Sequence, residues 1–520
     1  MPDTSVLDDA LKKVAKGAGI VFVGVAIGQA IVYFSRIFIA RYLGPTPYGL
    51  ISLALAGLGI GTTLALLGLP TGIVRYVSFY KGRGDKRRIK GTLVSSFQIA
   101  FPLSLVFGAL LFLSSNWLSI NVFQEPHLAP ILRVFSLAVP FYVMMELFLA
   151  GIRGFQEMRY QVVCKNLIEP LCRIALVAAL LFLGYGVLGA AVAYVLAIIL
   201  ASGFAFYFLE RKIFPAIKTK IRAISIRGEL FQYSWPLALV GILYLITSWT
   251  DTLMLGFFKT SAEVGFYNAA LPTVRILSAV PLAFGMIFFP VVSELYGRKK
   301  IKEMKDVYKT VTKWIFLVLF PLSLLVIFFS GAVLKIMFGP AYVVASTALS
   351  ILAVGFFVSY LFQPSSIILS TLKKTKLIFL SSLVVASLNV SLNYMLIPPY
   401  GIEGAAVATS LSVLLGGILV GAFAYHLMGF QPFKQAHFKS LIAGLVAILL
   451  SFSVYEGVSF FIEKTVYLLI GAFFAFAGLY SLMLLALRCF DRNDVMIMKA
   501  LEEKTGIWPK FLRRAIKRFL

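Results

Sequence analysis

The 520-residue sequence has few cysteines, histidines and acidic residues. It contains 3 cysteines and 3 histidines, and 22 aspartates and glutamates stand against 48 lysines and arginines. Cys164 and Cys172 are eight residues apart on one predicted helix, too far along its axis to form a disulfide. The three histidines are scattered and match no spacing of metal ligands. We therefore predict neither a disulfide framework nor a metal site, and no cofactor.

A nucleotide-binding motif is also missing. The sequence contains no G-x-x-x-x-G-K-[ST] and no polar segment long enough to form a nucleotide-binding domain. It also lacks the paired carboxylates in a water-filled loop domain that a membrane-embedded glycosyltransferase needs. We predict that the chain is not an enzyme and does not itself hydrolyse ATP.

Apolar residues dominate the composition of the sequence. The sequence is 60% hydrophobic and 13% charged, with a mean hydropathy of +0.93, whereas a globular domain has about a quarter of its residues charged. Apolar runs of roughly 20 residues, enough to cross a bilayer core of about 30 Å, recur along the chain. They predict an all-α membrane protein with 14 transmembrane helices. The predicted spans are residues 17–40, 48–70, 92–114, 129–151, 162–183, 187–209, 232–257, 263–291, 310–330, 341–369, 377–397, 402–427, 440–456 and 465–487.

Every second predicted loop is basic. Three of these loops contain six lysines and arginines each: Lys81–Lys90, Glu210–Arg227 and Arg298–Lys309. Basic loops remain in the cytoplasm, so we predict a multi-pass protein of the plasma membrane with both termini cytoplasmic. The formal net charge of +26 then indicates contact with anionic membrane lipids rather than with nucleic acid.

The sequence contains an internal repeat. Leu137–Phe141 returns as Leu352–Phe356, and Gly184–Ala193 returns as Pro399–Ala408, both at an offset of 215 positions. Duplicated units are a common way of building transporters. Because each repeat has six predicted helices, the two copies should run parallel, with a cavity between them.

The repeat divides the chain into five predicted regions. These are a cytoplasmic N-terminus (1–16), two six-helix lobes (17–227 and 228–430), helices 13 and 14 (431–487) and a basic tail (488–520). Near its end the tail places apolar residues opposite lysines and arginines, which predicts an amphipathic helix on the inner leaflet. A disordered basic tail is the alternative.

The first helix of each lobe has a polar stripe. Gln29, Tyr33 and Arg36 share one helix face because they are spaced by four and three residues. The same offset gives a second stripe, Tyr244, Ser248 and Asp251. A charge in lipid costs about 2.5–3.5 kcal/mol, so both stripes should face the interior. We predict substrate binding by the first stripe and ion coupling or gating by the second. An ion pair between Arg36 and Asp251 is the alternative interpretation.

Two further arginines are candidates for substrate binding. Arg75 follows Pro70, and Arg275 lies six residues before Pro281 within a predicted span. The planar guanidinium suits a bidentate contact with a phosphate or diphosphate, so these residues favour an anionic substrate. For Arg75, the alternative is a side chain that reaches the lipid headgroups.

A second group of polar residues has competing interpretations. Glu169 and Arg173 are one helical turn apart and can neutralise each other, with Asn166 on the same face. Asn389 and Asn393 are also one turn apart. Such asparagines hold helices together more often than they bind ligands.

Three segments carry a family resemblance. They are Ala40–Leu50 (ARYLGPTPYGL), Asp251–Gly256 followed by Val264–Ala270 (VGFYNAA), and Asn393–Ala406 with its Ile397-Pro398 step. Together they resemble the Wzx-type flippases of polysaccharide biosynthesis. That superfamily also includes multidrug (MATE) extruders and murein-precursor flippases.

The resemblance implies a two-lobed helical bundle with a central, often cationic cavity. It implies that a polyprenyl-diphosphate-linked oligosaccharide is moved from the cytoplasmic to the outer leaflet by alternating access, for cell-surface polysaccharide or glycan biosynthesis. Expected partners are this lipid-linked sugar, H⁺ or Na⁺, and other glycan-assembly membrane proteins. Two alternatives stay open, a cation-coupled multidrug antiporter and a non-transporting scaffold of a glycan assembly complex. A net positive cavity favours the flippase.

Overall fold

A computed structural model describes residues 4–215, 218–219, 221–433, 435–459 and 465–490, with side chains from residue 24 onward except at 459, 465 and 466. All regular secondary structure within these ranges is helical, which confirms the predicted all-α class. The predicted amphipathic segment near the end of the basic tail lies outside the described residues.

The chain divides into two compact units, Met1–Asn268 and Ala269–Leu520. The helices of the first unit are α1 (Thr4–Leu43), α2 (Pro45–Leu66), α3 (Leu69–Gly82), α4 (Lys86–Trp117), α5 (Leu128–Gly154), α6 (Met158–Gln161), α7 (Glu169–Phe182), α8 (Gly186–Tyr207) and α9 (Arg227–Phe258). The division falls within α10 (Ser261–Arg275). Three π-helical segments extend the first unit's helices: Leu118–Val122, Val162–Ile168 and Phe208–Ile213.

The second unit is also helical where it is described. Its helices are α11 (Ala279–Gly297), α12 (Ile301–Phe328), α13 (Ser330–Met337), α14 (Ser346–Leu361), α15 (Gln363–Thr371), α16 (Thr375–Met428), α17 (Gln435–Ser459) and α18 (Thr465–Ala486). Short 3₁₀ turns connect α10 to α11 and α13 to α14.

In the described part of the chain, 12 helices are long and apolar enough to cross a membrane. Two features account for the difference from 14. The charged residues Lys165, Glu169 and Arg173 lie within the helical stretch 158–182, so this stretch, which contains most of the predicted span 162–183, is not among the 12 apolar helices. The single long helix α16 covers two predicted spans, with a break in its backbone at Gly401. The count of 14 stays a prediction.

Helix α5 is central to the first unit. It packs against α2, α3, α4 and α8, and its buried residues include Leu132, Phe135 and Val139. Helix α9 packs against α2, α3 and α4 within the same unit. This arrangement places polar residues of α1, α5, α7 and α9 within one bundle.

In the second unit, α17 and α18 are packed onto α12 through aromatic side chains. Phe316, Phe320, Phe476 and Tyr480 belong to one buried cluster, and the hydroxyl of Tyr480 donates to the carbonyl of Leu317 at 3.3 Å. The helices beyond residue 430 therefore contribute to the hydrophobic core of this unit.

Candidate functional site

The first unit contains a group of charged side chains among its packed helices, which we call the charged cluster. Its members are Glu146 and Arg153 on α5, Lys165 in the π-helical segment, and Glu169 and Arg173 on α7. Arg36 on α1 is counted with them because it interacts electrostatically with Tyr48, as does Tyr194, on which Arg173 stacks. Four cationic side chains and two carboxylates give the cluster a net charge of +2.

Glu146 is the anionic centre of one half of the cluster. It is 7% exposed, and its Oε1 accepts a hydrogen bond from the Nζ of Lys165. The Nη2 of Arg153 lies 3.9 Å from Oε2 of the same carboxylate. Because removing a charge from water is costly, a buried glutamate is retained only with such compensation.

Glu169 and Arg173 form the second ion pair of the cluster. Arg173 Nη1 lies 2.8 Å from Glu169 Oε1, so the pairing predicted from the i,i+4 spacing is confirmed. The guanidinium of Arg173 also stacks 5.0 Å from the ring centroid of Tyr194. Arg173 is 8% exposed, and its buried Nε has no hydrogen-bond partner among the described residues.

Arg36 lies on the α1 side of this region. Its side chain is half-buried, and it interacts electrostatically with Tyr48, as do Tyr33 and Tyr194. Of the other residues of the first stripe, Tyr33 is buried and Gln29 is exposed. The stripe is therefore divided between the interior and the surface.

A glycine allows α1 to approach the π-helical segment. A Cβ atom added at Gly28 would lie 2.7 Å from the backbone carbonyl oxygen of Asn166, closer than such atoms approach. The half-buried Asn166 therefore lies directly against α1. Because Glu169 follows by three residues, this contact brings the polar face of α7 close to α1.

Asp251 lies in a separate buried polar site of the first unit. It is 2% exposed, and the hydroxyl of Tyr267 donates to its Oδ2 at 2.7 Å. Next to it, the Nδ2 of Asn268 lies 3.1 Å from Thr252 Oγ1. The hydroxyl of Tyr48 donates to the carbonyl of Asn268 at 3.2 Å.

The rest of the second stripe has different surroundings. Tyr244 is 73% exposed and Ser248 is half-buried. Tyr244 nevertheless lies near enough to Tyr142 to interact with it electrostatically, and Tyr142 interacts in the same way with Glu146, Lys165 and Glu169. Tyr142 therefore lies between the charged cluster and the exposed Tyr244 of α9 in this network of electrostatic interactions.

Arg75 lies on the short helix α3, after a turn at Leu67 and Gly68 in which both residues have positive φ. It is exposed, and its guanidinium stacks 4.1 Å from the ring centroid of Tyr233 on α9. Nearby, burial raises the pKa of the Tyr80 phenol, and the Glu229 carboxylate raises it further. Tyr80 therefore stays a neutral donor to Glu229 at physiological pH.

The second unit contains the other candidates. Arg275 is half-buried and interacts electrostatically with Tyr360. Asn389 and Asn393 are buried, and Asn389 Nδ2 donates to Thr409 Oγ1 at 3.1 Å across the break in α16. This contact favours the interpretation in which the asparagines hold two helical segments together.

The sequence interpretation missed Glu146, Arg153 and Lys165. Glu146 and Lys165 lie within predicted transmembrane spans, and a charge at such a position is itself a signal of function. Lys313 on α12 is another example, because it is 1% exposed. Within the described residues, no group of three histidine, cysteine, aspartate or glutamate side chains could hold a metal ion.

Two family models match the chain. The model described as "Polysaccharide biosynthesis protein" matches residues 14–296, which is more than half of the chain. The model described as MatE matches residues 236–395.

Known proteins with similar sequences support this result. A putative O-antigen transporter of Shigella flexneri is 24% identical over 407 residues, covering 76% of this chain and 94% of that protein. A probable low-salt glycan biosynthesis flippase, Agl15 of Haloferax volcanii, is 28% identical over 267 residues, covering 50% of this chain and 55% of that protein.

Solved structures share the fold. The lipid II flippase MurJ in an inward closed conformation superposes with a TM-score of 0.69 at 15% identity, covering 92% of this chain and 99% of that one. An inward-facing multidrug resistance MATE family transporter gives a TM-score of 0.65 at 17% identity, covering 79% and 98%. These likenesses concern the fold alone. From the family match, we conclude that this chain is a membrane protein that belongs to the polysaccharide biosynthesis protein family.

Proposed function

We propose that the protein is a flippase for a polyprenyl-diphosphate-linked oligosaccharide, which it moves from the cytoplasmic to the outer leaflet by alternating access. Family membership and the names of the relatives, an O-antigen transporter and a glycan biosynthesis flippase, support this proposal. The observation that carries it is the net positive charge of the charged cluster.

The composition of the cluster suits an anionic headgroup. Its two carboxylates are already engaged by Lys165, Arg153 and Arg173, and the cations remain in excess. An unbalanced cation is costly in a low-dielectric interior, and an anionic ligand removes that cost. Guanidinium groups add bidentate hydrogen bonds to phosphate oxygens.

Accessibility separates the cluster's members by role. Lys165 has 39% of its side chain exposed, whereas Glu146 has 9%, and Arg36 is half-buried. Lys165 and Arg36 are therefore the cations that an entering diphosphate meets first. In this mechanism the diphosphate competes with Glu146 for Lys165, so substrate entry loosens an ion pair that holds α5 against the π-helical segment.

Ion coupling is assigned in this proposal to Asp251. It is a buried carboxylate on α9, and its Oδ2 accepts a hydrogen bond from the hydroxyl of Tyr267. Binding of a cation or a proton at this carboxylate neutralises its charge. The finer roles of Gln29, Tyr33, Tyr244 and Ser248 are proposals of the same kind.

The test is leaflet translocation of a labelled polyprenyl-diphosphate oligosaccharide in proteoliposomes. We expect Arg36→Ala and Lys165→Gln each to lower the rate by at least about tenfold, since a hydrogen bond to a charged group contributes about 1.5–3 kcal/mol. Arg83→Ala is the matched control, because this exposed arginine stacks on Phe79 and is not a candidate for substrate binding, and it should retain most of the rate.

A second candidate function is cation-coupled antiport of organic cations. The buried carboxylate of Asp251 and the MatE match over residues 236–395 favour it. If the wild-type protein moves no lipid-linked sugar but exports organic cations along a sodium or proton gradient, and Asp251→Asn abolishes this export, antiport replaces the flippase proposal.

A further inference from the structure

The first unit contains an apolar crevice that the proposed transport mechanism does not use. It lies between α4, α5 and the end of α8, with a volume of about 620 Å³. Its lining includes Leu93 on α4, Phe141 and Phe148 on α5, and Ile199, Gly203 and Glu210 on α8 and its π-helical extension. Nearly all of the surface that lines the crevice is apolar.

The length of the crevice corresponds to one leaflet. On α8 and its π-helical extension the lining runs from Ile199 to Glu210, a distance of roughly 16 Å at 1.5 Å per residue. A bilayer core is about 30 Å thick, so the crevice is about as long as one acyl chain of one leaflet. An apolar space that opens to lipid is filled by hydrocarbon, because an empty one forfeits its dispersion contacts.

One end of the crevice is strongly basic. Helix α4 begins at this end and the π-helical extension of α8 finishes there, so the crevice is bracketed by residues 85–90 and by residues 210–215, 218–219 and 221–229. These described stretches contain nine lysines and arginines against three carboxylates. One of the carboxylates, Glu210, accepts a hydrogen bond from the backbone N–H of Lys218 at 2.8 Å.

The two basic stretches contact each other at this end. The N–H of Ile224 donates to the carbonyl of Arg87 at 3.2 Å, and the Nζ of Lys90 donates to the carbonyl of Thr219 at 2.7 Å. Lys86 lies on the helix face that continues through Lys90 to the lining residue Leu93. Lys86 and Arg211 are exposed, so both can meet a phosphate.

We propose that this crevice is a binding site for an anionic phospholipid. One acyl chain lies between α4, α5 and α8, and the phosphate headgroup lies among the cations at the basic end. Apolar burial provides the attraction for the chain, and the basic loops provide the preference for a negative headgroup. The lipid is a resident ligand of the first unit, and its binding does not depend on which substrate the protein transports.

Gly203 offers a direct way to fill the crevice. It lies in its lining, and a Cβ atom added there would meet no atom within 4 Å. A tryptophan can therefore be introduced without a backbone clash. Gly478 on α18 is a matched control, since it is also an exposed glycine of an apolar helix with no atom within 4 Å of an added Cβ.

The experiment is native mass spectrometry of the full-length, detergent-solubilised protein. The probes are phosphatidylglycerol and phosphatidylcholine with identical acyl chains. We expect wild type and Gly478→Trp to retain phosphatidylglycerol in preference to phosphatidylcholine. Gly203→Trp should lower phosphatidylglycerol retention by about tenfold, which corresponds to the loss of a well-packed apolar contact.

A variant that lacks two cations at the basic end tests whether these cations bind the phosphate headgroup. Lys86→Gln/Arg211→Gln should abolish the preference for phosphatidylglycerol, whereas Lys299→Gln/Lys302→Gln, which alters a basic loop of the second unit, should preserve it. Equal retention by Gly203→Trp and Gly478→Trp, or equal retention of the two lipids by wild type, would overturn the proposal. Displacement of phosphatidylglycerol by a polyprenyl phosphate from wild type would overturn it too, because the crevice would then hold the substrate's tail.

Discussion

The two halves of the predicted repeat differ at the positions of the charged cluster in the first half. At the offset of 215 positions, Glu146 corresponds to Leu361, Lys165 to Leu380 and Arg173 to Leu388. Likewise, Glu169 corresponds to Val384 and Arg153 to Ile368. The comparison shows that five of the six charged positions have aliphatic counterparts in the second half, whereas Arg36 corresponds to the acidic Asp251.

The framework itself shows what the halves share. Gly186 and Gly401 are related by the same offset, and both have φ of +54°, a conformation that glycine adopts most readily. Three residues later, a Cβ atom at Gly189 would lie 2.6 Å from Tyr185, and one at Gly404 would lie 2.1 Å from the carbonyl of Leu396. Each glycine pair thus starts a helix that packs tightly against the chain preceding it, which supports the proposed duplication.

The largest effect is expected when Glu146 of the Glu146–Lys165 pair is replaced by leucine, the residue at the corresponding position of the second half. Glu146→Leu leaves Lys165 without its carboxylate and should lower the stability of the protein by about 3 kcal/mol. This is the low end of the range for breaking a buried pair, because Lys165 is 39% exposed. Thermal unfolding in detergent measures the loss.

The double variant Glu146→Leu/Lys165→Leu sharpens the same comparison. It reproduces the second half's residues at both positions, so it should recover most of the lost stability while translocation stays at least about tenfold below that of wild type. If the double variant transports normally, the charged cluster is only structural and the comparison loses its functional meaning.

A medium effect is expected at the shared glycines. Gly186→Ala and Gly401→Ala should each destabilise the protein by about 1–3 kcal/mol, the cost of a sparsely populated positive-φ backbone for a residue with a Cβ. Gly457→Ala is the control, because it lies within α17 with open space around its Cβ. This substitution should be neutral or slightly stabilising. Equal losses of stability in all three variants would argue against a special backbone conformation at Gly186 and Gly401.

The smallest effect is expected in the second half. Thr409→Val removes the hydroxyl that accepts the hydrogen bond of Asn389. Interhelical hydrogen bonds in membranes contribute about 0.6 kcal/mol on average, so unfolding should shift only slightly. Translocation should be unchanged, and a strong loss of transport without a loss of stability would instead assign this pair to a ligand or ion.

Local patterns allowed much of the fold to be predicted. Apolar length identified the membrane class and most spans, and i,i+4 spacing identified the Glu169–Arg173 pair, because both depend on residues close in sequence. The Glu146–Lys165 pair joins α5 to a π-helical segment 19 residues away, and the Tyr267–Asp251 bond joins two helices across a turn. Such contacts depend on how helices pack, which hydropathy does not encode.

The placement of Arg75 illustrates the same limit at short range. Its predicted position at the end of the second span assumes a continuous helix, but positive φ at Leu67 and Gly68 starts a new helix, α3. Its guanidinium is thereby directed to Tyr233. A left-handed turn therefore sets the surroundings of a side chain for which the sequence left both the cavity and the lipid headgroups open.

The most direct test of the central claim is the affinity of the protein for a polyprenyl diphosphate relative to the matching monophosphate. We expect wild type to bind the diphosphate at least about tenfold more tightly, and Lys165→Gln to lose most of that preference, because a charge-assisted contact contributes about 1.5–3 kcal/mol. Equal affinities of wild type for the two lipids, or an undiminished preference in Lys165→Gln, would contradict the assignment of the charged cluster as the diphosphate site.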